Sequence, residues 1–368
     1  MKILLLGGTG AMGVPLAELL ADAGHEVFVT SRQRRVSKTP NICYVQGNAR
    51  DDLFLTDYLK RERYDAIVDF MHYHIGAFEK RLPLLLNATN HYFFLSSCRV
   101  FAPTEKPITE SSGRLLDVST DKHFLATEEY ALSKARCENL LFRSQSRNWS
   151  IIRPYITYNN ERLQLSMYEK DVWLRRALSG KSIVFSKEMA DKTTTLTSGN
   201  DVARTIAYMI QKRVGLGEAV NVVGNDSMTW GECLDIYLDV IESKTGKRPK
   251  VVWTHNTVQL SKCIGNVYKL RYDRLSDRFF DNSKVVELCH GEIEFEPIKY
   301  GLSRCLSNFL DTERVFKGSI PILEAYLDRC SGERSGLSSF PTLKSKFKYL
   351  IVRYIPFITY YYPRQRYW

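Results

Sequence analysis

Six short apolar runs alternate with helical periodicity across the first 154 residues, and this rhythm restricts the fold more than any other feature of the chain. The runs lie at 2–6, 26–30 (EVFVT), 42–47 (ICYVQG), 66–70 (AIVDF), 92–97 (YFFLSS) and 149–154 (WSIIRP). Between the first two, Met12, Leu16, Leu19, Leu20 and Ala23 recur at helical spacing, and Gly24 stands where a helix ends. An acid-led helix follows from Asp51, and another covers roughly 127–145. Strands alternating with helices predict a parallel sheet covered on both faces. Right-handed crossovers then bring every strand's C-terminal end to one edge, where ligands bind. The expected class is α/β, a Rossmann-type doubly wound parallel sheet.

After residue 154 the rhythm loosens, then DVARTIAYMIQK at 201–212 and EAVNVV at 218–223 read as a helix and strand returning to the sheet. This predicts a dinucleotide-binding domain over 1–160 with return segments at about 193–224. A smaller, discontinuous substrate lobe is expected over 161–192 and 225–330, followed by a basic aromatic tail over 331–368.

A hydrophobic content of 44% in 368 residues supports a sizeable core. The eight cysteines form no CxxC pair, a pattern of free thiols in a reducing cytoplasm, with no metal expected. The apolar run Ile3–Leu6 is too short for a signal peptide and reads as a strand, and no stretch approaches the roughly 18 apolar residues of a membrane span. The net charge of +11 points to anionic ligands. Without a zinc finger, an RNA-binding aromatic signature or a basic low-complexity arm, nucleic acid is excluded as the partner.

The glycines of GGTGAMG, Gly7, Gly10 and Gly13, follow a strand and open a helix, the context a phosphate-binding turn requires. Gly7 would permit the turn, Gly10 would let a diphosphate approach the helix N-terminus, and Gly13 would let the helix lie close to the sheet. The second strand ends in TSRQRR, with Ser31, Arg32 and Arg35 where an NAD site usually carries an acid. A serine and guanidinium groups suit a 2′-phosphate, so the expected cofactor is NADP, with NAD as the alternative. Asn48, after the third strand, is a candidate for the adenine ring.

YALSK sets Tyr130 and Lys134 four residues apart, on one face of a helix. A phenol resists ionisation at neutral pH, and a neighbouring ammonium favours the phenolate. Tyr130 would exchange a proton with a sugar oxygen while hydride moves, and Lys134 would hold the nicotinamide ribose. Tyr208 and Lys212 repeat the spacing inside an amphipathic helix, where packing explains Tyr208. Ser97, at the end of the fifth strand, would bond the same substrate oxygen as Tyr130.

Together these residues resemble the extended short-chain dehydrogenase/reductase family, whose members include nucleotide-sugar epimerases, dehydratases and ketoreductases. The resemblance runs from residue 1 to about 310, through GGTGAMG, LSSCRVF, ITE at 108–110, YALSK followed by Glu138, IIRP, NDVA at 200–203, AVNVVG at 219–224 and DNSK at 281–284. It implies Ser97, Tyr130 and Lys134 as a catalytic trio. It implies cofactor contacts from the first loop (with Thr9, Ala11 and Met12), from Phe70 and Met71 after the fourth strand, and from Tyr155 beside the nicotinamide. It implies a nucleotide-linked sugar as substrate, met by Ser97 and Cys98, with Arg271 or Arg274 on its diphosphate, and a homodimer.

Three departures bear on the reaction. Cys98 and Arg99 stand where dehydratases of this family carry an Asp-Glu pair, which argues against loss of water. The fourth strand ends in DFMHYH rather than small residues, so His72 or His74 either lines the pocket or is structural. Ile156 stands where an asparagine is frequent. The functions in view are an NADPH-dependent keto-sugar reductase, a nucleotide-sugar epimerase (a 4-epimerase, for example) that keeps its NAD(P) bound, and a non-catalytic dinucleotide-binding scaffold.

The chain ends KSKFKYLIVRYIPFITYYYPRQRYW, interleaving basic and aromatic residues, with Pro356 and Pro363 interrupting any long helix. That composition fits packing on the protein body or at a dimer contact, or peripheral contact with an anionic membrane surface.

Overall fold

The computed structural model describes residues 1–355. The part of the aromatic tail at 356–368 lies outside the described residues. The chain divides into two compact units. The first comprises residues 1–157, 195–225 and 280–296, and the second 158–194, 226–279 and 297–368.

The first unit is built on seven strands: β1 (Lys2–Leu6), β2 (Glu26–Ser31), β3 (Ile42–Gln46), β4 (Tyr64–Asp69), β5 (Thr89–Leu95), β6 (Trp149–Pro154) and β7 (Glu218–Val222). Their order is β7-β6-β5-β4-β1-β2-β3, and every neighbouring pair is parallel. Five long helices accompany them: α1 (Gly13–Asp22), α2 (Asp52–Leu59), α3 (Ile75–Asn87), α4 (Tyr130–Arg143) and α5 (Gly199–Lys212). This is the Rossmann-type α/β fold.

Successive strand residues point to opposite faces, and both faces are covered. In β1, Ile3 and Leu5 join a core with Leu16 and Leu20 of α1 and Val202 and Ile206 of α5. Leu4 and Leu6 face the other way, into a core with Leu55 of α2, Phe78 and Leu85 of α3 and Leu141 of α4. All four strand residues are fully buried, which explains an unbroken apolar run in place of alternation. The chain proceeds from β1 outward through β2 and β3, then returns to the far side of β1 with β4. The crevice where direction reverses, at the C-terminal ends of β1 and β4, is the place such sheets bind ligands.

In the second unit, Ile183–Ser186 pairs in parallel with Val251–Thr254. The helix Trp230–Thr245 starts with a capping box between Thr229 and Glu232. Helices Pro321–Ser331 and Leu343–Tyr354 pack together around Ala325, Phe340, Tyr349 and Val352. The described part of the C-terminal segment is therefore helical and buries one face. No helix among the described residues is long and apolar enough to cross a membrane.

Candidate active site

The turn after β1 supplies a cradle. Gly7 has φ +70°, a conformation other residues adopt only under strain, and its amide donates to Thr30 Oγ1 of β2 at 2.9 Å. A Cβ on Gly13 would meet the Gly8 backbone at 2.5 Å, so α1 can begin this close to the sheet only with glycine there. Gly10 faces open space, with nothing within 4 Å of an added Cβ. The N-cap of α1, Met12, makes no side-chain capping bond, and the first turn carries no acid. The first helical amides thus present an uncapped, positively polarised end. These features fit a diphosphate. The side chain of Met71 lies over the turn, its Sδ 2.7 Å from an added Cβ on Gly7.

At the end of β2, Ser31 is buried while Arg32, Arg34 and Arg35 are exposed. Arg35 reaches over the ring of Tyr44, with its guanidinium carbon 6.0 Å from the centroid. Arg32 forms no ion pair among the described residues. Asn48 is exposed, and its Oδ1 accepts from the Arg50 amide at 3.1 Å, closing the turn that leads to Asp51, the side-chain cap of α2.

Lys134 is firmly anchored at this edge. Its side chain is buried, and Nζ donates to the Met71 carbonyl at 3.0 Å and the Leu95 carbonyl at 2.5 Å. It also lies 4.6 Å from the Phe94 ring centroid. An ammonium has three donors, so one N–H has no acceptor among the described residues. Tyr130 is the first residue of α4, preceded by Glu129, whose side chain accepts from the Ala131 amide at 2.6 Å. Glu129 also accepts from Arg99 at 2.7 Å, and Arg99 sits over the Tyr130 ring at 5.2 Å. This fixes the phenol at the mouth of the edge and Lys134 one turn behind it.

Ser97 is buried just past β5, at the N-cap of the turn Cys98–Val100. Its Oγ accepts from the Arg99 amide at 3.2 Å and donates to the Pro154 carbonyl at 3.4 Å, a long bond that is easily redirected. Cys98 is fully buried and donates its thiol hydrogen to the Arg153 carbonyl at 3.0 Å. Arg153 itself makes a bidentate pair with Glu138, at 2.8 Å for both bonds. Ser96 at 2.6 Å and Arg114 at 3.1 Å complete the surroundings of that buried carboxylate. Tyr155 is buried, its ring 4.8 Å from that of Phe280. Ile156 holds φ +33°, a left-handed conformation that a β-branched residue adopts under strain and that asparagine tolerates.

Two further side chains shape this edge: His72, which the sequence leaves open between pocket lining and structure, and Asp69, which it does not single out. His72 stacks on the Tyr130 ring, and its Nε2 is buried without a partner among the described residues. Burial first, and then the Lys134 charge, push its pKa down to about 4, so the imidazole is neutral at pH 7. Asp69, at the end of β4, is fully buried. Its Oδ2 accepts from Tyr73 at 2.8 Å and Tyr92 at 2.7 Å, and its Oδ1 from the Met71 amide at 2.9 Å. Burial raises its pKa against those bonds and against Lys134. The Asp69 bond to Met71 holds the β4 end that also receives Lys134.

The sheet edge therefore brings together the glycine turn, Met71, His72, Ser97, Tyr130 and Lys134. Arg271 and Arg274 belong to the second unit. There Arg274 is buried, pairs with Asp273, donates to the Ser166 carbonyl at 3.1 Å and lies over Trp230. Arg271 is exposed, over the ring of Tyr272. No group of metal-binding side chains is present among the described residues.

The sequence model of the NAD dependent epimerase/dehydratase family matches residues 3–223, more than half of the chain. The chain belongs to this family. No curated protein matches the sequence. Among solved structures, the fold is similar to that of the Bordetella bronchiseptica enzyme WbmH in complex with NAD+, at TM-score 0.64 and 17% identity over 85% of this chain and 99% of that one. It is similar to a UDP-glucuronic acid 4-epimerase from Bacillus cereus, solved with UDP-glucuronic acid and NAD, at TM-score 0.61 and 15% identity over 84% and 99%. It is also similar to a dTDP-glucose 4,6-dehydratase from Bacillus anthracis, solved with NAD, at TM-score 0.64 and 16% identity over 86% and 98%. At such identities the likeness is one of fold. It accounts for the parallel sheet and glycine turn, and leaves the reaction to the side chains at the edge.

Proposed function

We propose that this family member is an NADP-linked oxidoreductase acting on a nucleotide-linked sugar, most simply a keto-sugar reductase. The observation that carries the reading is Lys134, pinned by the Met71 and Leu95 carbonyls one helical turn behind Tyr130. The nicotinamide cofactor, when bound, supplies the hydride. The amides of residues 9–13 would hold its diphosphate, Ser31, Arg32 and Arg35 its 2′-phosphate, and the remaining Lys134 N–H its ribose. The Lys134 ammonium stabilises negative charge on the Tyr130 oxygen, so the phenol can release its proton to a sugar carbonyl oxygen. Ser97 would donate to the same oxygen after giving up its long bond to Pro154. Arg271 or Arg274 would meet the substrate diphosphate, the role that the family resemblance implies for them.

No carboxylic acid follows Ser97, so no group there can protonate a departing hydroxyl, and dehydration is not part of this proposal. The second reading, an epimerase, draws on the fold likeness to the Bacillus cereus 4-epimerase. The two are separated by incubating the protein with NADPH and UDP-, GDP- and dTDP-linked keto-sugars, and separately with the corresponding hydroxy-sugars without added NADPH. A reductase consumes NADPH in step with product. An epimerase interconverts sugars with no net loss of NADPH, and a scaffold does neither.

A further inference from the structure

The helix Leu343–Tyr354 is fastened by one face. Tyr349 and Val352 are buried, the Tyr349 hydroxyl donates to Asp328 at 2.8 Å, and Arg353 donates to the Glu333 carbonyl at 3.2 Å. The other side is not polar, as a solvent face would be. Leu343 is 72% exposed, Phe347 62%, Ile351 39% and Tyr354 57%. At 3.6 residues per turn, spacings of four, four and three keep these four within an arc of about 80°. Lys344 and Lys348 border that arc on one side and Lys346 on the other. No acidic residue follows Glu333 anywhere in the chain.

An apolar stripe bordered by lysines on a helix anchored from behind has the layout of a segment lying in a bilayer interface, its stripe among acyl chains and its ammonium groups at phosphate depth. We propose that this face docks on an anionic lipid surface. The helix has 12 residues, about 18 Å, against the roughly 30 Å of a hydrocarbon core, so it lies in the plane and does not span. The sequence past the helix keeps the same chemistry, with Tyr360, Tyr361, Tyr362 and Trp368 among Arg364 and Arg366, the residue types that favour a membrane interface. A second copy of the chain is the weaker occupant. A two-fold contact would set Lys344, Lys346 and Lys348 of both copies together, with no acid in the segment to offset them. The inference goes beyond the proposed reaction and does not depend on it.

The test uses the full chain, sedimented with vesicles of phosphatidylglycerol and phosphatidylcholine, and with vesicles of phosphatidylcholine alone. Binding to the first and not the second, released by salt, is the expected result. K344Q/K346Q/K348Q should weaken it by about a hundredfold, and F347S by roughly tenfold or more. Lys344 and Phe347 are exposed, and Lys346 and Lys348 are partly so, so the unfolding midpoints of the variants should stay close to that of the parent. Equal binding to both vesicles, or none to either, overturns the proposal. So does an equilibrium sedimentation result in which F347S abolishes a dimer while lipid binding is unchanged, since the stripe then belongs to a second copy.

Discussion

The imidazole of His72 lies nearly parallel to the phenol ring of Tyr130, with centroids 5.3 Å apart and planes 16° apart. Because His72 is neutral at pH 7, the positive charge against the Tyr130 ring is that of Arg99, with Lys134 one helical turn behind, while the histidine lies along the ring's plane. Two substitutions separate these roles. Tyr130→Phe keeps a ring for the stack but removes the proton, and should lower kcat by about 10²–10⁴ while cofactor affinity, read by fluorescence titration, stays unchanged. His72→Phe should keep turnover, and His72→Ala should lose up to about tenfold through loss of the aromatic contact. Full turnover by Tyr130→Phe would show that the proton comes from another group.

The exposed arginines after β2 give a second test. A charge-assisted hydrogen bond is worth about 1.5–3 kcal/mol. Replacing Arg32 and Arg35 together with alanine should therefore raise the Kd for NADPH by tenfold or more and leave that for NADH nearly unchanged. Ser31→Asp should invert the preference, since a carboxylate repels a 2′-phosphate and accepts from ribose hydroxyls. Isothermal titration of both cofactors reads the ratio directly, and equal losses for the two would remove the arginines from the cofactor site.

What the sequence reveals here depends on how far apart the interacting groups are along the chain. The strands are legible because all but the edge strand β3 bury an apolar run, and the glycine turn because Gly7 and Gly13 meet local backbone demands. Tyr130 and Lys134 are legible because four residues make one helical turn. The acceptors of Lys134 are backbone carbonyls at Met71 and Leu95, which any residue could supply, so no spacing announces them. Asp69 acquires its role only when β4 and β5 lie side by side, bringing Tyr92 onto it, and His72 only when α4 sets the Tyr130 ring against it. The helix α3 contains Pro83 within Ile75–Asn87, and that proline hides it from a reading by periodicity. The helix Pro321–Ser331 is the clearest case. Arg176, fully buried, pairs there with Glu324 at 2.6 Å and Asp328 at 2.7 Å, contacts about 150 positions away in the sequence.

His91 predicts how the first unit answers to acid. It sits buried on β5, and its Nε2 lies 2.7 Å from Ser150 Oγ. That hydroxyl donates onward to the Gly215 carbonyl, so the imidazole is the donor to it, through Nε2–H. Burial pushes its pKa down to about 4, from 6.5. Between those values the unfolded chain binds a proton that the folded chain does not, so stability falls as pH drops from about 6.5 and the loss is complete below about 4. The size is about 3 kcal/mol, taking roughly 1.4 kcal/mol per unit. His72 shifts in the same direction and adds to the slope. His91→Gln can still donate to Ser150 but cannot titrate. Urea unfolding at several pH values should find the variant less stable than the parent at pH 7.5, with the gap closing as the pH falls toward 4.5. A gap that stays constant over that range would mean that His91 binds its proton equally well in the folded and unfolded chains, and a gap that widens as the pH falls would mean that the folded protein holds an imidazolium.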